Sequence, residues 1–175
     1  LKMSFHKDYS KIGIKRSLII CVFLLIMFSS TPFICRAQEE NSAELIKKLS
    51  AANWRTRWEA ALELGDKKVN KAVIPLLNLL KDDDSSNVRW SASQALQEIG
   101  KEAAPEVADL LTDSDPQLRK MAARTLLGMK AVPVAIIPQL AAAVRDSDKE
   151  VRKLCLQILT KIGEKAKKAG SVIVL

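Results

Sequence analysis

The stretch Asp82–Gly100, DDDSSNVRWSASQALQEIG, decides the fold, because it returns. Aligned on its arginine, the same pattern runs TRWEAALELG from Thr56, LRKMAARTLLGMK from Leu118 and VRKLCLQILTKIG from Val151. The anchors Arg57, Arg89, Arg119 and Arg152 are 32, 30 and 33 residues apart, a period that belongs to helical solenoids. Other positions keep the register. Fourteen residues before the arginine stand Pro75, Pro105 and Pro138, with Ala43 in the first unit. Six before it stand Asp83, Asp113 and Asp146, and four before it Ser85, Asp115 and Asp148, with Asn53 in the first. Three after it comes a small residue, Ala60, Ala92, Ala122 or Cys155, and seven after it Leu64, Leu96, Leu126 or Leu159.

Each recurring position has a physical reading. Val88, Ala92, Ala95, Leu96 and Ile99 form one stripe of a helix. The small residue lets a neighbouring helix approach closely. Ser85, Asp115 and Asp148 sit where an N-cap belongs, and Pro116 takes the first helical position. Gly100 and Gly163 mark helix ends. Segments such as AVIPLLNLLKD and AAPEVADLLTD read as a first helix opened near proline. A helix–turn–helix unit cannot bury its apolar faces alone, so stacked neighbours make the core. The expectation is an all-α, right-handed solenoid of about four units, near 42–66, 70–100, 102–130 and 133–163, within a domain of 38–168. The last residues, 169–175, read as a C-terminal tail or a truncated fifth repeat.

The proline, the D-x-D/S turn and the V-R-x-x-A and A-L-x-x-I-G elements together resemble the HEAT-like repeats first associated with phycobilin lyase subunits. The resemblance covers about 42–165. It implies first helices on the convex side, second helices on the concave side, and a ladder in which Arg57, Arg89, Arg119 and Arg152 pair with Asp83, Asp113 and Asp146. The first unit departs from it, with Ala51 at the aspartate position, as terminal repeats often do.

Charge narrows the partners. The chain carries +8, but residues 1–37 hold +5 of it and 149–168 another +5, leaving 38–148 at −2. The repeat body is therefore not a basic nucleic-acid surface. Lys11, Lys15 and Arg16 lead into the apolar run Leu18–Phe28, then SSTPFICRA and an abrupt polar start. This fits a secretory signal peptide over 1–37, cut after Ala37. Eleven apolar residues make a helix of roughly 16 Å, short of the ~30 Å hydrocarbon core. The alternative is an uncleaved anchor over 18–35. The expected location is extracytoplasmic, periplasmic or secreted, with membrane contact only if that segment stays.

The only histidine, His6, leaves with the signal. No histidine then remains for a nucleophilic triad or a zinc site, and the branch of metal-dependent HEAT-repeat hydroxylases, which rely on His–Glu pairs, is excluded. Cys155 takes a position held elsewhere by alanine and reads as structural. The acidic run at 82–84 recurs in register and reads as turn and ladder rather than a cation site. No catalytic residue, metal or cofactor is expected.

The tryptophans are the functional hint. After residue 37 the only aromatics are Trp54, Trp58 and Trp90. Trp90 lies about 200° around the helix from Val88, opposite the packing stripe. Its column holds Trp58, Trp90, Lys120 and Lys153, with Arg124 nearby. This reads either as an exposed ladder along a concave groove or as rings packed on a neighbouring helix. The leading function is an exported, non-enzymatic interaction scaffold binding a protein or peptide. The alternatives are a lyase-like or other enzyme-associated subunit and, less favoured by the charge, a nucleic-acid-binding protein.

Overall fold

The computed structural model describes residues 39–173, with side chains to residue 164. The signal or anchor reading of 1–37 falls outside the described residues. Of the two units into which the chain divides, the second, Ser42–Leu175, holds the repeats.

It is an all-α solenoid. Helix α1 covers 39–48, followed by α2 (Trp54–Asp66), α3 (Val73–Asp82), α4 (Ser86–Ile99), α5 (Ala104–Asp109), α6 (Pro116–Gly128), α7 (Ile137–Ala143) and α8 (Lys149–Ile173). Short 3₁₀ turns lead into α3, α5 and α7, the helices that carry Pro75, Pro105 and Pro138 in their first turns. The even-numbered helices stack in sequence, α2 on α4, α4 on α6 and α6 on α8, while α3, α5 and α7 form a second layer against them. Among the described residues no helix is long and apolar enough to cross a membrane.

The expected stripe is the core. Val88, Ala92, Ala95, Leu96 and Ile99 are all buried, as are Ala60, Ala122 and Cys155 at the small position. Larger side chains, Leu64, Leu76, Leu80, Leu126, Leu140 and Ile158, fill the space between the layers, and Leu45 and Leu49 close the first unit. Small residues bring the stacked helices close: a Cβ on Gly65 of α2 would lie 2.6 Å from the Ala95 Cα of α4.

The even-numbered helices start as the register requires. Asn53 accepts the Arg55 N–H at 2.9 Å, Asp115 the Gln117 N–H at 2.9 Å, and Asp148 the Glu150 N–H at 2.7 Å. Ser85 is the exception. It holds the extended N-cap conformation, but its hydroxyl makes no capping bond; the turn is fixed instead by Asp83, whose carboxylate accepts the Ser85 N–H at 2.8 Å. Gly100 ends α4 with φ 77°, a conformation that suits glycine. Gly163 does not end a helix. It lies inside α8, which continues to Ile173, so the segment expected as a tail or a fifth unit is helical through that residue. The run EKAKKA that follows it supplies good helix formers, and a glycine inside a helix costs only about 1 kcal/mol.

Two of the four register arginines grip an aspartate of the following unit. Arg57 donates Nε and Nη2 to the two carboxylate oxygens of Asp83 at 2.6 and 2.9 Å, and Arg119 does the same to Asp146 at 2.7 and 2.9 Å. Both are fork-to-fork pairs across a repeat boundary. The third expected rung is absent: among the described residues Arg89 meets no carboxylate. It donates to the Asp83 carbonyl, while Asp113 is approached by Lys81 of α3 at 3.4 Å. That boundary carries other polar links, a Ser93–Thr125 hydroxyl bond of 2.8 Å between α4 and α6 and a Lys130–Glu98 pair at 3.1 Å.

Candidate functional site

The same geometry that stacks α2 on α4 brings three tryptophans together. Trp54 opens α2 directly after the Asn53 cap. Trp58 follows one turn later on the same face, and Trp90 comes from the equivalent position of α4. With Arg55, Glu59 and Asn87 they line an open cleft of about 540 Å³. Trp90 is 55% exposed and Trp54 41%, while Trp58 is half-buried. The core therefore does not need these rings, and Trp90 in particular shows water a large apolar surface. The Arg55 guanidinium lies 5.7 Å from the centre of the Trp54 ring, a cation–π distance that holds Trp54 at the cleft's edge. The polar groups are one cation, one carboxylate and one amide beside the three aromatic rings.

Of the residues expected to line a groove, Trp58 and Trp90 meet at this cleft, whereas Lys120, Arg124 and Lys153 lie further along on α6 and α8. Lys120 is not a free cation of a continuous ladder. It is half-buried and pairs with Asp148 at 3.2 Å, because the cap of α8 falls beside α6 of the preceding unit. Arg124 is exposed. Lys153 is exposed too, 4.0 Å from Glu150. The sequence names Trp54 among the aromatics but does not place it in the column, and it does not single out Arg55, Glu59 or Asn87. The signal for Trp54 was present, since it precedes Trp58 by one helical turn.

The groups that could do chemistry are engaged structurally. Arg57 also takes Asp84, at 2.7 Å, so two of the three acids of the 82–84 run are committed to one guanidinium. Asp146 is held below the ordinary carboxylate range by the Arg119 hydrogen bonds, which outweigh its burial. At Asp83 burial works the other way, but the bonds from Arg57 and the Ser85 N–H prevail and lower it as well. Asp113 is lowered chiefly by the Asp115 N–H, and Asp148 by the Glu150 N–H. Burial pushes the Cys155 thiol up to about 11. Among the described residues no three His, Cys, Asp or Glu side chains gather as a metal site would require. The arrangement is one for binding a side chain or segment against aromatic faces.

Several solved structures are similar to the chain. One engineered protein is 24% identical over 68% of this chain and 61% of its own, with a TM-score of 0.43. A designed armadillo repeat protein, crystallised in complex with the peptide (KR)4, is 22% identical over 66% of this chain and 62% of its own, with a TM-score of 0.44. The chain thus spans about six-tenths of the length of each. No curated protein matches it. The family model for HEAT repeats matches residues 42–126 and again 104–170, the region in which the arginines, aspartates and small residues recur, and the chain belongs to the HEAT-repeat family.

Proposed function

We propose that this chain is an exported, non-catalytic scaffold that holds a protein or peptide partner on the inner-helix side of its solenoid, with the tryptophan cleft as the anchor point. One observation carries this reading: Trp54, Trp58 and Trp90 converge on a single cleft of about 540 Å³ although the core does not require them. Exposed aromatic clusters with a polar rim are the composition of binding hot spots. Export rests on the basic and apolar character of residues 1–37. The likeness of the repeats to those of phycobilin lyase subunits is one of pattern, and no lyase chemistry is assigned.

The test is a selection of random peptides displayed on phage against the wild-type chain, repeated with Trp90→Ala and with Trp58→Ala/Trp90→Ala. Selected peptides are expected to bind the double variant roughly thirtyfold more weakly, the loss of a hot-spot residue, while its thermal melt stays cooperative. Acrylamide should quench the wild-type tryptophan emission. Peptides that bind both proteins equally, or rings fully shielded from acrylamide, would overturn the assignment.

A further inference from the structure

The tryptophan cleft holds a carboxylate that no described residue answers. Glu59 lines it beside Trp54, Trp58 and Trp90 and is exposed. Among the described residues it meets no cation, whereas the next acid on α2, Glu63, takes Lys67 at 2.7 Å. Arg55 stands four residues before Glu59, a spacing at which opposite charges can pair along a helix. Its guanidinium lies over the Trp54 ring instead, 5.7 Å from the centre. Helix α4 brings the Asn87 amide to the cleft but no basic side chain, and Arg89 donates to the Asp83 carbonyl.

These groups share a surface that stacking leaves open between units, not one bared at an end. Trp90 stands on α4, which packs against both α2 and α6, and it is still 55% exposed. Ser86 and Pro116, at the register position of Trp54, are exposed as well.

Given that this cleft is the binding point, we infer that its occupant is a peptide segment presenting an arginine side chain. The guanidinium would lie against the exposed Trp90 indole with its N–H edge on the Glu59 carboxylate. An indole offers a negative face and Glu59 adds a full charge, so an acidic side chain is repelled. A purely apolar one would strip water from the carboxylate and return no bond. Of the two long basic side chains, lysine ends in a compact, strongly hydrated ammonium. A guanidinium is planar and less hydrated, and it can stack on a ring while giving parallel N–H groups to a carboxylate. Arg55 on Trp54 is the same contact made within the chain. Trp90 shows more of its surface to water than Trp54 does and has no such cation among the described residues.

The experiment titrates three peptides into the full chain: acetyl-Gly-Gly-Arg-Gly-Gly-amide and the same peptide with citrulline or lysine in place of arginine. Tryptophan emission and the indole N–H resonances report binding. The arginine peptide is expected to bind roughly tenfold more tightly than the citrulline peptide, which keeps the shape without the charge, and more tightly than the lysine peptide. In Glu59→Gln, which leaves the rings in place, the preference over citrulline should shrink to roughly threefold, the share of the ring faces. Citrulline or lysine bound as well as arginine, no saturable binding of the arginine peptide, or a preference that Glu59→Gln leaves unchanged overturns the arginine assignment. Failure of the cleft itself reads differently: phage-selected peptides that lose Trp58→Ala/Trp90→Ala yet contain no arginine keep the cleft and overturn only its occupant.

Discussion

Arg119 and Asp146, twenty-seven residues apart, share two parallel hydrogen bonds of 2.7 and 2.9 Å across the boundary between the third and fourth units. Both side chains are at most one-tenth exposed, so the pair is shielded from the screening that makes surface ion pairs weak. Removing one partner strands a buried charge. Arg119→Ala is expected to cost about 3–5 kcal/mol of unfolding free energy. Arg89, in the same register, bonds only the Asp83 carbonyl among the described residues, and Arg89→Ala should cost about 1.5 kcal/mol. Urea unfolding of the two variants checks the order; equal losses would mean that the ladder does not distinguish its rungs.

Acid should weaken the solenoid through these same carboxylates. Asp83 and Asp146 are held below their ordinary range in the folded chain, so folding favours their ionised forms. The stabilisation is complete above the unfolded-state value, about 3.9, and is lost as pH falls through the lower folded-state values. The thermal midpoint of the wild type is expected to drop steeply below about pH 4. Asp146→Asn should start lower and show a shallower drop over that range. A variant that parallels the wild type throughout would show that the Arg119 bonds do not set this carboxyl group.

The residues that could be read in advance are those whose role repeats. Arg57–Asp83 and Arg119–Asp146 follow from register, because identical turns place identical side chains. The missing Arg89–Asp113 rung does not follow, since Lys81 comes from α3 in the other layer and its reach depends on how α3 lies against the next turn. The Lys120–Asp148 pair escaped for the same reason: each residue had a role in its own column, ladder or cap, and only stacking shows that the columns meet. Trp58 and Trp90 were legible as a column, whereas the cleft required the third ring, Trp54, at the very start of α2. Gly163 misled because glycine signals a stop only when the backbone turns left-handed there, as at Gly100.

Two glycines should respond oppositely to alanine. Gly65 faces α4, where an added Cβ would lie 2.6 Å from the Ala95 Cα and 2.9 Å from its Cβ. Backbone cannot swing aside, so Gly65→Ala overpacks the contact by about 1–3 kcal/mol, more than the gain of up to ~1 kcal/mol in helix propensity. Gly163 is exposed, lies inside α8 and has nothing within 4 Å of the added atom. Gly163→Ala should therefore stabilise by about 0.5–1 kcal/mol. Thermal melts of the two variants would fall on opposite sides of the wild type, and a destabilised Gly163→Ala would contradict the continuous helix.

Cys155 provides a clock for opening of the last unit. The thiol is wholly buried between α8 and its neighbours, and burial raises its pKa to about 11. At pH 8 the thiolate is then on the order of a thousandth of the population, and no reagent reaches it without local unfolding. The substitution Cys155→Ala copies Ala60, Ala92 and Ala122 at equivalent positions, so it should cost under ~1.5 kcal/mol and allows Cys21 and Cys35 to be subtracted. The difference in disulfide-exchange labelling between wild type and this variant is expected to be near zero in native buffer. It should rise to one thiol in step with the urea transition, where an ordinary value near 8.5 applies. Arg119→Ala should bring that rise to lower urea. Rapid native labelling attributable to Cys155 would show that the fourth unit opens on its own, independently of the repeats before it.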